Sequence, residues 1–202
     1  MIRTALACAV LMGVSAFSLS AEPLKQGERD RALSALHGSR KMFIDLVSGV
    51  NDAQWNFKPA PDVWSIAEIA EHLVLSERDI PKGIQKYLDA PADAAKLAQT
   101  KGKDEMVLAS VAKRDQKFQA PEFLRPHKEF ATREAALKAF KEYRDRNLTF
   151  IRETQLGLRE HVGDHPGLGP LDAYQWYLLI AAHTDRHLAQ MREVMANPGF
   201  PK

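Results

Sequence analysis

Cysteine is almost missing from this chain, with one thiol, Cys8, in 202 residues. That residue lies in an N-terminal segment with its own logic. Met1-Ile2-Arg3 opens it, an apolar run follows from Thr4 to Phe17, and Ser18-Leu19-Ser20-Ala21-Glu22-Pro23 closes it. One positive charge, a short apolar stretch and small residues before a polar start describe a secretory signal peptide over residues 1–21, cleaved after Ser20 or Ala21. The mature chain, 22–202, then carries no thiol. Disulfides, cysteine nucleophiles and thiolate metal ligands are all excluded, and any metal has to be held by nitrogen and oxygen donors.

Other absences narrow the field further. The leading apolar run is short for a bilayer span and no second one follows, so no membrane attachment is expected after cleavage. The 28 basic side chains stand against 26 acidic ones, and removal of Arg3 leaves 27 against 26. No basic block stands out, which argues against nucleic acid as a partner and against a basic membrane-surface helix. An exported, periplasmic protein is the expectation. No mature segment alternates as a strand should.

What remains is helical periodicity, in four segments. The first runs from roughly Leu24 to Val50, with Leu33, Leu36, Ile44 and Val47 as its stripe and Phe43 at the edge. The second starts at Ser65, which forms a capping box with Glu68; Ile66, Ile69, Leu73 and Ile80 face inward until Pro81 disturbs the ladder. A long connection follows, from about Asp89 to Ala131, with a short helix expected over Asp104 to Lys113. Its length marks it as an ordered crossover or a lid, and Ala120 to Pro126 reads as extended and pinned by apolar side chains. The third helix starts at a Thr132 cap, runs to about Gly157 and buries Leu137, Phe140, Leu148 and Ile151. A Gly/Pro-rich loop from Gly163 to Pro170 leads to the fourth helix, about Leu171 to Met195, which Asn197-Pro198-Gly199 ends. The fold class predicted is all-α, a four-helix bundle with a long connection between helices 2 and 3.

Helical geometry separates the seven histidines. At about 100° per residue from His183, Trp176 and Val194 fall near +20°, Gln190 near −20°, His187 near +40° and Leu179 near −40°. His183 and His187 therefore occupy a position in the buried stripe where leucine is ordinary. Burying two imidazoles is unfavourable unless each finds a partner. An i, i+4 pair puts two ring nitrogens on one face, within reach of one ion; the plain alternative is two core histidines, each satisfied by a hydrogen bond. His72 borders the stripe of the second helix, either as a third ligand or as a half-exposed polar residue. Three histidines with an open fourth position is the ligand count of catalytic zinc sites.

The remaining histidines fit less well. His161 and His165 precede the fourth helix, and about 12 residues of straight helix separate that loop from His183 by roughly 18 Å. His127 lies in the long connection. His37 flanks the first helix's stripe and is a candidate for the site's edge, or for a fourth ligand if the site is closed. On the third helix Arg144 and Asn147 point inward among apolar neighbours, where buried polar groups need partners. They serve either in interhelix hydrogen bonding or as a pocket wall. Glu71 and Asp185 face away from the bundle on the same wheels, and Glu68 and Asp79 face sideways.

These residues carry a resemblance. Trp55-x-x-Lys58-Pro59, Trp64-Ser65-Ile66-Ala67-Glu68-Ile69-Ala70-Glu71-His72-Leu73 and His183-Thr184-Asp185-Arg186-His187-Leu188-Ala189-Gln190 together resemble the DinB-like superfamily of four-helix proteins, over roughly Leu24 to Met195. The resemblance implies a divalent metal, commonly zinc or nickel, held by one histidine of the second helix and two of the fourth. In this sequence those are His72, His183 and His187. It implies an activity of one of two kinds, metal-dependent hydrolysis or thiol-dependent transfer. A signal peptide makes hydrolysis of a small molecule the natural expectation, with Arg144 or Asn147 orienting the substrate and Gln190 holding a ligand. The alternatives are a periplasmic metal- or ligand-binding protein without turnover, and a plain helical interaction module. A homodimer through an exposed bundle face is compatible with the pattern, although no apolar outer stripe decides it.

Overall fold

The computed structural model describes residues 22–115 and 118–202. The segment read as a signal peptide, residues 1–21, lies outside them. Among the described residues four long helices dominate: α1 (Gln26–Ser48), α3 (Ile66–Leu88), α6 (Arg133–Glu153) and α7 (Ala173–Met195). Short helices α2 (Asp52–Asn56), α4 (Ala94–Ala98) and α5 (Asp104–Val111) lie between them, and a single 3₁₀ turn spans Glu122–Leu124. Each of α1 and α3 packs against both α6 and α7, and α5 packs on α7. The four-helix bundle with a long crossover between α3 and α6 is the architecture expected.

Local chemistry explains most boundaries. Ser65 accepts from the N–H of Glu68, whose carboxylate accepts from the N–H of Ser65, so two orphan donors are satisfied reciprocally. Asp172 and Gln175 do the same at the start of α7. Thr132 caps α6 through the N–H of Ala135. That helix ends at Glu153, short of Gly157, because Arg29 reaches across from α1. Its guanidinium donates to the carbonyls of Ile151, Arg152 and Thr154, which closes the last turn.

Pro81 does not end α3. Proline removes the donor that would bond the carbonyl four residues back, here that of Glu77. Asn147 on α6 supplies the missing donor, Nδ2 to Glu77 O at 3.1 Å, and the helix continues to Leu88. The stripe of α1 is also turned relative to expectation. Phe43 is fully buried with Leu36 and Val47, whereas Leu33 and Ile44 are only partly buried.

The Gly/Pro-rich loop before α7 is in fact an antiparallel ribbon, β1 (Val162–His165) with β2 (Gly169–Asp172). Gly169 takes φ +67°, the left-handed geometry that a tight turn needs. Lys103 donates Nζ to the carbonyls of Leu168 and Pro170 and ties the ribbon to the crossover. At its base, Arg159 binds Glu28, Asp104 and Asp172, joining α1, α5 and the cap of α7.

Two apolar clusters fill the bundle, one around Leu36, Ile84, Leu148 and Leu178, the other around Phe43, Ile69, Phe140 and Leu188. In the latter, the rings of Phe43 and Phe140 stack with centroids 3.9 Å apart. A buried polar layer includes residues of all four long helices. Arg144, wholly buried, donates to both carboxylate oxygens of Glu77 at 2.9 and 2.5 Å. It also donates to Leu36 O, Ser39 Oγ and Thr184 Oγ1. Asn147 completes the layer through Glu77 Oε2 at 2.9 Å. Of the two roles open to Arg144 and Asn147, interhelix bonding is the one the fold uses.

Candidate metal centre

Polar residues of α3 and α7 meet beside that layer. His72 follows the capped first turns of α3, and His183 and His187 stand one turn apart on α7. Their Nε2 atoms converge: His183 lies 3.2 Å from His72 and 3.1 Å from His187. One ligand atom from each falls within 4.8 Å of the others. The ring centroids are 4.5 to 5.0 Å apart. Trp64, just before the cap of α3, sets its indole 5.2 Å from the imidazole of His72.

The outer edges of two rings are fixed. A carbonyl can only accept, so Nδ1–H of His72 donates to Leu124 O at 2.7 Å. Nδ1–H of His187 likewise donates to Gln190 Oε1 at 2.8 Å. Both rings are thereby held as the tautomer whose Nε2 carries a lone pair. His183 Nε2 can offer one proton at most. At least one of the two short nitrogen–nitrogen approaches therefore sets lone pair against lone pair, unless a cation lies between them. The arrangement can hold one divalent ion through three neutral imidazoles.

Electrostatics favour the neutral rings. Burial pushes the His72 pKa down to about 4, with the bond to Leu124 opposing the shift. His183 and His187 are held well below 6.5, first by burial and then by their neighbouring imidazoles; Arg186 acts in the same direction. His72 and His187 are buried, and His183 is partly exposed.

Of the candidates read from the sequence, His72, His183 and His187 come together; the others are placed as follows. Gln190 joins the histidines through His187. His37 is exposed on α1 and is outside the cluster. Glu68 pairs with Lys58, and Asp79 pairs with Arg78 and Lys82, so neither carboxylate faces the imidazoles as a base. Glu71 is buried instead of facing solvent, because the crossover folds over that side of α3. Asp185 is only partly exposed, and its Oδ1 has no hydrogen-bond partner. His165 is outside the cluster, as the loop's position before α7 implies. The ribbon sets its ring 5.4 Å from that of Trp176, and it contributes to the depressed pKa of His183.

One contributor carries no mark in the sequence. The Leu124 acceptor is a backbone group, indistinguishable in sequence from any other carbonyl. Phe123, one residue earlier, is exposed at 62 % while Leu124 is buried, so only part of the Ala120 to Pro126 segment is pinned by apolar side chains.

The comparisons with known proteins agree with this picture. The model of the DinB superfamily matches residues 35–191, which include all three histidines. The chain belongs to the DinB superfamily. It is 30% identical over 162 residues to the uncharacterized protein YuaE of Bacillus subtilis (strain 168), covering 80% of this chain and 96% of that protein. Among solved structures it is similar to YfiT from Bacillus subtilis. The TM-score is 0.54 at 14% identity, over 89% of this chain and 93% of that one. YfiT is described as "a probable metal-dependent hydrolase with an unusual four-helix bundle topology". The likeness to YfiT is one of fold.

Proposed function

We propose that this chain is an exported hydrolase of a small molecule that depends on a divalent metal, zinc or nickel, held by His72, His183 and His187. The observation that carries the reading is the convergence of three Nε2 atoms at 3.1 and 3.2 Å. Two nitrogens bound to one tetrahedral zinc at about 2.0–2.1 Å lie roughly 3.3 Å apart, so the spacing fits the ion. Imidazole donors suit zinc and nickel alike, and no thiolate is needed. The description of YfiT as metal-dependent supports the same reading.

A divalent ion in this setting supplies Lewis acidity, polarising a substrate oxygen or lowering the pKa of water. The chain's own residues do the rest. Leu124 O and Gln190 hold His72 and His187 as Nε2 donors and set the ring planes, and such outer contacts raise ligand basicity. Burial keeps the imidazoles unprotonated at neutral pH. Among the described residues the cluster contains no fourth imidazole or carboxylate, and a three-residue site of that kind favours catalysis over a closed structural centre. Among the described residues no helix is long and apolar enough to cross a membrane. Export rests on residues 1–21, and N-terminal sequencing of periplasmic protein tests it.

The decisive experiment is metal analysis of protein purified without chelator, followed by zinc titration and a hydrolase substrate panel on the loaded protein. One equivalent per chain is expected. If His72→Ala combined with His183→Ala binds zinc as well as wild type, the trio is wrong. Stoichiometric metal without turnover across ester, amide and phosphoester substrates would favour a binding protein.

A further inference from the structure

Glu71 stands next to a proposed ligand, yet its side chain points the other way, into the crossover. It is 3 % exposed. The N–H groups of His127 and Glu129 donate to its Oε1 at 3.0 and 2.8 Å, and that of Lys128 donates to Oε2 at 3.0 Å. Three consecutive backbone donors thus close on one carboxylate. Lys128 sits at φ +70°, which is unfavourable for a residue with a Cβ. Successive N–H groups around such a left-handed residue form an anion-binding concavity, and here Glu71 is the anion.

Three residues upstream of that clasp, Leu124 presents its carbonyl to His72 Nδ1 at 2.7 Å. Glu71 and His72 are neighbours on α3, so the clasp and the carbonyl anchor the same stretch of crossover at adjacent points. We infer that Glu71 is a positioning residue for the metal centre: by gripping residues 127–129 it holds the crossover so that Leu124 O fixes the tautomer and plane of His72. The chain of action is mechanical, carboxylate to backbone to carbonyl to imidazole. Arg78 also reaches this stretch, through Glu129 at 2.5 Å, but that pair is partly exposed and such pairs contribute little. The buried clasp is the stronger anchor. For its role in metal binding, the inference rests on the three-histidine reading; for its role in orienting His72, it does not.

The test uses Glu71→Gln and Glu71→Ala in the full mature chain, each checked for helicity, with two readouts. In metal-free protein, ¹⁵N shifts of the histidine rings report the tautomer of His72. Wild type is expected to show Nδ1–H, and Glu71→Gln a mixture, since an amide sets its own N–H groups against the backbone donors. In zinc titration, both variants are expected to bind one equivalent with affinity reduced roughly 10- to 100-fold, as for other groups that orient metal ligands. Arg78→Ala is expected to leave the His72 tautomer unchanged. If Glu71→Ala fails to fold, Glu71→Gln decides. An unchanged His72 tautomer in Glu71→Gln overturns the inference. So does an equal tautomer shift in Arg78→Ala, or wild-type zinc affinity in the Glu71 variants. A wild type that binds no zinc sinks the metal reading instead, and the tautomer measurement still decides the role of Glu71.

Discussion

His183 and His187 bring their Nε2 atoms to 3.1 Å across one turn of α7. His183 Nε2 can donate a proton to His187 or to His72 but not to both, so one of these close approaches stays lone pair against lone pair, and a bound cation should stabilise the fold. A ligand at 100 times its dissociation constant adds about 2.7 kcal/mol. For a chain of this size that is on the order of 5–10 °C in melting temperature. Thermal melts with and without zinc should show this rise in wild type and none in His183→Ala. The metal-free melting temperature of the variant should change less than the zinc-dependent rise, because the packing lost with the ring is offset by relief of an unpaired nitrogen–nitrogen contact.

Acid should unfold the metal-free protein through the same histidines. The pKa of His72 falls from 6.5 to about 4 on folding, chiefly by burial. Below pH 6.5 the unfolded chain takes up a proton that the folded one refuses until about pH 4. The stabilising contribution is therefore complete above 6.5 and disappears as pH falls through 4. A shift of that size corresponds to about 3 kcal/mol; His183 and His187 act in the same direction. Urea midpoints measured in chelator between pH 7 and 4 should fall less steeply for His72→Gln than for wild type. Parallel curves would remove His72 as the source.

The helices and the trio were legible from the chain because side-chain periodicity records which face meets the bundle. His72, His183 and His187 interrupt an apolar face, and Ser65 with Glu68 marks where α3 begins. The crossover was less legible. A helical wheel places Glu71 outside the bundle, which holds for the four long helices taken alone. It carries no trace of residues 127–129 folding back over that face. Leu124 acts through its carbonyl, which every residue has. The ribbon at Val162–Asp172 was hidden because four-residue strands containing Gly163, Gly169 and Pro170 do not alternate in polarity. Pro81 misled for a related reason: its helix survives through Asn147, a donor 66 positions later in the chain.

Gly163 offers a sharp test of how the ribbon packs. A Cβ built there would fall 2.0 to 2.4 Å from three ring atoms of Tyr87. The ring lies against bare backbone, and Trp176, whose centroid is 6.0 Å from that of Tyr87, donates Nε1 to Gly163 O at 3.3 Å. Gly163→Ala must displace Tyr87, and overpacking of this kind costs about 1–3 kcal/mol. The coupling is readable in a cycle: Gly163→Ala should cost much less in a Tyr87→Ala background. Equal costs in the two backgrounds would mean that the methyl group is accommodated elsewhere.

Arg144 and Glu77 form the one ion pair among the described residues with both side chains at or below 1 % exposure. Four further contacts of the pair, from Ser39, Leu36, Thr184 and Asn147, leave its charges well satisfied. Removing one partner strands the other in a low-dielectric layer, and broken buried pairs cost about 3–5 kcal/mol. Arg144→Met and Glu77→Leu should each approach that loss in chemical denaturation. The double variant should recover much of it, since an apolar pair of similar volume leaves no buried charge. Glu77→Leu leaves the Glu77 carbonyl in place, so the Asn147 bond that sustains α3 past Pro81 persists and helicity should hold. Thr184 adjoins His183, so the double variant should also show whether this layer tunes the metal centre. Unchanged zinc affinity would assign the layer to fold stability alone, while a loss would extend the metal centre's support across all four long helices.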